Sequence, residues 1–460
     1  MKNAVLVKCR SFRYFPEGEE VLKKFDFNLE YGKVTLLSGV SGSGKSTLLS
    51  LINGIIPRVI PGLFDGEILI DGEDIKSKSM SQISRKVGSV LQNAESQIIN
   101  QTVEDEIAFG CENFGFEPSL IATQIDKSCL LMQIQKEWKT RTLSGGQKQR
   151  LVTASTLAMN GDILIFDEPL ANLDGEGALI LLELLKGLAL NGKAVLLVEH
   201  RLDVALPYAD IVWNLKDGRV EKVRNKNEFL KSQSDVIQSG GKPEVTVPRD
   251  TALLLTGIKK KFGSREILRG IDLEIKKGER ILLTGENGCG KSTLMSIIAR
   301  LLKADEGKIS QYLNLDLNRR AGKKWFKTCG VVFQNPNYQL FAGSVRDEIL
   351  FGAENKDYAL CLADWFELTP LLDRHPHSLS EGQKRRLTVC SILAQKPKLL
   401  LLDEPTVGQD YHNLRNMIEI INHVHKEQQN TMITITHDIR CKKALCDREI
   451  KIEGGIIEKS

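Results

Sequence analysis

The sequence predicts an α/β protein built from two tandem copies of one phosphate-binding domain, each with a mainly parallel core sheet. Three observations carry this expectation. A glycine-rich loop occurs twice, short apolar runs are too solid to be half-exposed strands, and a series of motifs in the first half returns in the same order in the second. At 460 residues the chain exceeds what one ordinary core fills. Its composition, 42% hydrophobic and 27% charged with 13 Pro, suits packed domains and leaves little room for a long disordered segment.

The repeat is read most directly at the loops. Gly39-Val-Ser41-Gly42-Ser-Gly44-Lys45-Ser46-Thr47 is answered by Gly285-Glu-Asn287-Gly288-Cys-Gly290-Lys291-Ser292-Thr293. Val90-Leu-Gln92-Asn is answered by Val332-Phe-Gln334-Asn. The two loop lysines stand 246 positions apart and the later motif aspartates, Asp167 and Asp403, 236 apart, so only small loop deletions separate the copies. The expected domains are 1–224 and 251–460. Between them 225–250, with charged residues, Ser-Gly-Gly and two prolines, reads as a linker.

Within each copy, apolar β-rich runs alternate with helical periods. Val34 to Ser38 and Arg280 to Thr284 read as strands that run into the loops, and Leu48 to Asn53 and Leu294 to Leu301 as the helices that follow. Ile163 to Phe166, Leu399 to Leu402, Ala194 to Val198 and Met432 to Ile435 read as strands buried on both faces.

The bulk properties narrow the function. Lys and Arg number 63 against 59 Asp and Glu, a small excess spread along the chain, which gives no reason to expect a nucleic-acid partner. Nine cysteines are scattered without C-x-x-C pairs or zinc spacing, which fits reduced thiols in a cytosolic setting. The N-terminus lacks the apolar core of a signal peptide, and the end at Ser460 leaves no room for a further regulatory domain. No apolar run approaches the ~20 residues of a spanning helix, so any link to a membrane goes through partners.

The motifs state the chemistry. In G-x-x-x-x-G-K-[ST], successive backbone N–H groups surround a phosphate, glycine stands where side chains would clash, and a helix N-terminus favours the anion. Lys45 and Lys291 would reach the β- and γ-phosphates, and Ser46 and Ser292 would offer a hydroxyl to Mg²⁺. An apolar strand ends in Asp167-Glu168-Pro169 and again in Asp403-Glu404-Pro405. The aspartate is placed to orient Mg²⁺ and the glutamate to polarise an attacking water. Leu143-Ser144-Gly145-Gly146-Gln147 and Leu379-Ser380-Glu381-Gly382-Gln383 each precede a basic helical stretch, a second anion site at a helix N-terminus.

Phosphate loop, glutamine, Leu-Ser-x-Gly-Gln, Asp-Glu and histidine together resemble the ATP-binding-cassette ATPases over nearly all of both halves. The resemblance implies two ATP sites in a head-to-tail intramolecular pair of domains, with ATP between Lys45 and Ser380 in one and Lys291 and Ser144 in the other. It implies an antiparallel β subdomain and a helical signature subdomain in each copy. Gln92 and Gln334 match the loop glutamine that contacts Mg²⁺ and water. His200 and His437 match the switch histidine, Asp174 and Asp410 the loop aspartates at the domain interface, and Tyr14 and Phe262 the aromatics that stack on adenine. Because both copies keep the glutamate, histidine and signature, two hydrolytic sites are expected.

The segments that follow Gln92 and Gln334, with Thr102 to Gly110 and Ser344 to Gly352, resemble those of energy-coupling-factor importer ATPases. That implies an importer of a vitamin, vitamin precursor or metal ion, completed by a transmembrane coupling protein and a small membrane substrate-binding protein. The chain would then lie peripherally on the cytoplasmic face of the cell membrane. A soluble tandem ATPase acting on ribosomes or DNA and a tandem sugar-importer ATPase are the alternatives. Leu51 to Asp65 reads either as part of a membrane-facing groove or as a plain loop.

Overall fold

The computed structural model describes residues 2–458 apart from 172, 174, 239–249, 311–322, 437, 439–440 and 442–443. The chain divides into two compact units, Met1–Gln233 and Ser234–Ser460. Both have the same architecture.

In the first unit a six-stranded sheet runs in the spatial order Arg219–Lys222, Ile211–Lys216, Val34–Gly39, Ala194–Val198, Ile163–Asp167, Val87–Val90. All neighbours are parallel except the Arg219–Lys222 edge. Val34–Gly39, Ile163–Asp167 and Ala194–Val198 are buried at every residue, the condition that their unbroken apolar sequences anticipate for a sheet covered on both faces. Beside it lies an antiparallel sheet in the order Phe25–Glu30, Asn3–Arg13, Leu63–Ile70, Glu73–Asp74. The helices Val103–Asn113, Pro118–Met132 and Gly145–Ala158 form a third region around their own core, which includes Ile107, Cys129 and Leu151.

The second unit repeats the plan. Its main sheet runs Cys329–Val332, Leu399–Asp403, Thr431–Ile435, Arg280–Thr284, Arg448–Glu453, Ile456–Ile457, the same order of equivalent strands. Its antiparallel sheet joins Arg265–Lys276, Thr251–Phe262 and Glu306–Ser310, and its helical region holds Val345–Leu350, Lys356–Trp365 and Glu381–Ala394. In each unit the strand entering the glycine-rich loop is interior to the sheet. His200 follows the strand beside it in the first unit and the motif carboxylates end the next strand over in both, so they gather at the carboxyl ends where α/β sheets place ligands.

The helix starts differ from the sequence reading, and two connecting segments carry helices. The helices after the loops start at Lys45 and Lys291, three residues earlier than the apolar period suggests, because Gly44 and Gly290 adopt left-handed conformations that turn the chain directly into a helix. The stretch 225–250 contains a helix, Lys226–Gln238, where composition suggests irregular linker, and the boundary between the compact units falls within it. Leu51 to Asp65 is not a plain loop throughout: a short helix, Ile55–Arg58, precedes the strand Leu63–Ile70. Among the described residues, no helix is long and apolar enough to cross a membrane.

Candidate functional site

The two glycine-rich loops share one backbone conformation. Gly39, Gly42 and Gly44 have φ of 153°, 79° and 104°, and Gly285, Gly288 and Gly290 have 139°, 81° and 108°. A Cβ at Gly39 would lie 2.3 Å from the carbonyl oxygen of Leu215, and one at Gly285 2.2 Å from that of Ile452, so the loop can pass its neighbouring strand only as glycine. Ser41 and Asn287 sit within these loops. The buried Lys45 ammonium donates to the carbonyls of Gly39 and Val40 at 2.8 and 2.9 Å. Lys291 does the same with Gly285 and Glu286 at 2.7 and 2.8 Å. Each cation is thereby fixed to its own loop.

At the end of Ile163–Asp167, Asp167 Oδ2 accepts from the Ser46 hydroxyl at 3.3 Å. Burial, and then the charge of adjacent Glu168, push the Asp167 carboxyl up to about 7. Glu168 is also buried, which pushes its carboxyl up, but the field and hydrogen bond of His200, with Lys45 and Gln92, bring it below its ordinary value. His200 Nε2 lies 3.1 Å from Glu168 Oε1, and Gln92 Nε2 donates to Oε2 at 2.9 Å. Lys45 of the loop, Gln92 and His200 thus converge on the Glu168 carboxylate, although Lys45 and His200 lie 155 positions apart in sequence.

Glu168 and Glu404 both adopt φ of 50°, a left-handed conformation that costs a non-glycine residue about 1–3 kcal/mol. Their amides are held by Val198 and Ile435 of the next strand, each at 2.9 Å. The same strain at equivalent positions turns each glutamate out of the strand direction.

In the second unit Ser292 hydrogen-bonds Asp403, whose carboxyl is raised by burial against the lowering effects of Ser292, Lys291 and Arg385. The backbone carbonyls of Gln334 and Glu404 share one donor, the buried Arg385 guanidinium. His437 and Asp174 lie outside the described residues.

Ser144 and Ser380 cap the helices Gly145–Ala158 and Glu381–Ala394. Each hydroxyl accepts from the amide of a glutamine, Gln147 or Gln383, whose side chain reaches back to the serine amide. Gly146 and Gly382 lie in the first turns. Lys148 pairs with Glu95, and Lys384 with Asn337, tying each signature helix to the segment after the motif glutamine. Asp410 caps the helix Tyr411–Gln428 through Asn413.

The aromatic candidates differ. Half-buried Tyr14 shares a hydrogen bond between its hydroxyl and Thr47 at 2.8 Å and packs edge-on against Phe12. Phe262 is 52% exposed, with the Lys260 ammonium 5.6 Å from its ring. Thr293 occupies the position equivalent to Thr47. Sequence reading missed Arg385, and it missed Glu199, which accepts from the amides of Leu170, His200 and Arg201 and so fixes the turn that carries His200. Arg385 follows a recognisable motif, but only the fold brings it under Glu404.

Two phosphate loops of this geometry, each facing an Asp-Glu strand end, define a tandem P-loop ATPase. The ABC transporter family matches residues 22–171 and 268–407, and the chain belongs to that family. A candidate ABC transporter ATP-binding protein of Methanosarcina mazei is 32% identical over 98% of this chain and 93% of its own length. One from Treponema denticola is 35% identical over 98% and 95%. Among solved structures, ribosome-bound archaeal Pelota and ABCE1 gives a TM-score of 0.73 at 21% identity, covering 98% of this chain and 77% of the other. An RNase-L inhibitor gives 0.66 at 22%, covering 98% and 89%. These structural likenesses concern the fold. The chain is an ATP-binding ATPase with two cassette domains.

Proposed function

We propose that the chain is the ATP-hydrolysing subunit of a membrane importer of the energy-coupling-factor type. Its cargo would be a vitamin, vitamin precursor or metal ion, carried by separate membrane subunits. The observation that carries the transport reading is the full-length similarity, at 31–35% identity, to candidate ABC transporter ATP-binding proteins. Supporting the subfamily are the segments after Gln92 and Gln334, where Tyr338, Phe341 and Phe351 in the second unit and Ile99 and Phe109 in the first are exposed apolar side chains. The chain would lie on the cytoplasmic face of the membrane, bound to a transmembrane coupling protein and a small substrate-binding protein, with no nucleic-acid partner.

In each domain, 1–224 and 251–460, the loop glycines with Lys45 or Lys291 hold the triphosphate and Thr47 or Thr293 continues the cradle. Tyr14 and Phe262 face adenine. A buried carboxylate beside a serine hydroxyl, Asp167 with Ser46 and Asp403 with Ser292, is a hard oxygen donor set that fits Mg²⁺, with Gln92 and Gln334 as further ligands. Held there, Mg²⁺ would supply charge neutralisation for the phosphates. Glu168, held by Gln92 and His200, is the carboxylate that orients the attacking water and accepts its proton, and Glu404 with His437 acts equivalently. Ser144 with Gly146, and Ser380 with Gly382, each offer a second anion-binding helix N-terminus, and both domains hydrolyse ATP.

Affinity purification of the tagged chain from membranes of its native host tests the proposal. One multi-helix protein recovered with one small, very hydrophobic membrane protein is the expected result. Co-sedimentation with ribosomes, with the chain absent from membranes, would overturn the transport reading and leave the ATPase intact.

A further inference from the structure

The fifth residue after each signature serine differs in kind between the units. In the second it is Arg385, on the helix Glu381–Ala394, and its Nη1 donates to the backbone carbonyl of Gln334 at 2.5 Å and to that of Glu404 at 3.1 Å. One guanidinium therefore joins three parts remote in sequence: the helix capped by Ser380, the loop of the motif glutamine, and the turn at the strand end. In the first unit the same place is held by Gln149, 1% exposed, whose side-chain nitrogen has no hydrogen-bond partner among the described residues.

The carbonyl that Arg385 holds belongs to Glu404, whose left-handed backbone, φ 50°, aims the carboxylate out of the strand. Burial holds the Arg385 guanidinium below its ordinary pKa against the raising effect of Glu404, Glu381 and Asp403, and its Nε has no hydrogen-bond partner among the described residues, so the two carbonyls are the hydrogen bonds that offset the desolvation of this charge. Both carbonyls meet one nitrogen, Nη1, whose hydrogens are fixed in the guanidinium plane, whereas those of an ammonium rotate freely. We infer that Arg385 is a positioning residue for hydrolysis, locking the Gln334 loop and the Glu404 turn to the signature helix, and that the first unit lacks this lock. The inference rests on the catalytic role proposed above for Glu404.

Arg385→Gln copies the first unit and Arg385→Lys keeps the charge with a shorter reach. Steady-state ATP turnover, melting temperature and amide hydrogen exchange are measured on the full chain, with Glu404→Gln as reference. In a chain carrying Glu168→Gln, where turnover reports the second unit and which serves as the parent, Arg385→Gln is expected to lower kcat at least five-fold with KM for ATP within two-fold of that parent. Amides of 334–341 and 404–409 should exchange faster together, and Arg385→Lys should recover at least half of the lost kcat. The inference is overturned if kcat stays within two-fold, or if melting temperature, KM and kcat all collapse in both variants, which marks Arg385 as a structural charge only. If Glu404→Gln itself keeps parent turnover, the role of Glu404 falls and the inference with it. If Glu404→Gln loses turnover while Arg385→Gln is silent, the inference alone fails.

Discussion

The two units carry the same loop, strand end and signature turn, yet brace them differently. At the start of the strand leading into the loop, Val34 in the first unit corresponds to Arg280 in the second. The backbone amide is served alike, Val34 N by Asp210 and Arg280 N by Asp447, at 2.9 and 3.1 Å. Arg280, fully buried, adds a fork of its own to Asp447 and further bonds to Asn422 and the Ala444 carbonyl. In the first unit Asp210 is paired instead with Lys186. Arg385 against Gln149 repeats this contrast behind the strand-end glutamate. The phosphate-facing surface tolerates little change because its groups meet one ligand chemistry, whereas the supporting layer can trade apolar packing for buried, partnered charge.

The sharpest break of the apparent equivalence comes from the glutamates themselves. Removing a general base costs about 10²–10⁴-fold at the site it serves. Glu168→Gln and Glu404→Gln should each lower steady-state ATP turnover by half or more, and the double variant should lose about 10²-fold. A single variant that turns over like the parent would show that its site contributes nothing, and the symmetry would then be one of shape only.

A smaller effect sharpens the contrast in bracing. Arg280→Ala removes a fully buried guanidinium with its bonds to Asp447, Asn422 and the Ala444 carbonyl, leaving partly exposed Asp447 only the amide of residue 280, a loss of about 3 kcal/mol against about 1–2 kcal/mol for trimming Val34 to alanine. Denaturant titration should therefore show the second unit weakened more by Arg280→Ala than the first by Val34→Ala. The dependence on pH has a definite sign. Burial pushes the Asp447 carboxyl up, but the hydrogen bonds and charge of Arg280 hold it below the usual aspartate value. A depressed folded-state pKa gives stability that is present above the unfolded value, near 3.8, and lost as pH falls through the folded one. The gap between parent and Arg280→Ala should be full at neutral pH and close below pH ~4. A gap that widens in acid would contradict the ion-pair account.

Much of this arrangement is legible in the sequence, for definable reasons. Glycine-rich loops need particular residues at fixed spacing, and strands buried on both faces read as unbroken apolar runs, so Arg280–Thr284 and Ala194–Val198 were placed to the residue. Helix starts were placed late because apolar periodicity begins at Leu48 and Leu294, whereas the backbone turns at Gly44 and Gly290. Lys226–Gln238 reads as linker because its composition is polar, although its backbone is helical and Lys226 reaches the carbonyl of Ala209. Arg385, Glu199 and Arg280 were invisible as functional supports. Arg280 and Arg385 find their side-chain partners 19 to 167 residues away, Glu199 joins its own turn to Leu170 29 residues earlier, and burial of a charge leaves no local signature.

The aromatics proposed to face adenine, Tyr14 and Phe262, offer the mildest and cleanest comparison. Phe262 is more than half exposed, so truncating it removes little packing; stacking on a base is then its main contribution, about 0.5–1.5 kcal/mol, or roughly 2- to 12-fold in affinity. Tyr14 is half-buried, and its hydroxyl is bonded to Thr47 in the first turn after the phosphate loop. Tyr14→Ala should therefore lower the melting temperature as well as ATP affinity, while Phe262→Ala should shift affinity alone. Tyr14→Phe separates the two contributions, since it keeps the ring and deletes only the bond to Thr47, worth about 1 kcal/mol of stability. Titration of each variant with a fluorescent ATP analogue, alongside thermal melts, decides the matter. If Phe262→Ala binds nucleotide like the parent, the exposed ring does not meet adenine, and the second unit holds its nucleotide by the phosphate loop without an aromatic lid.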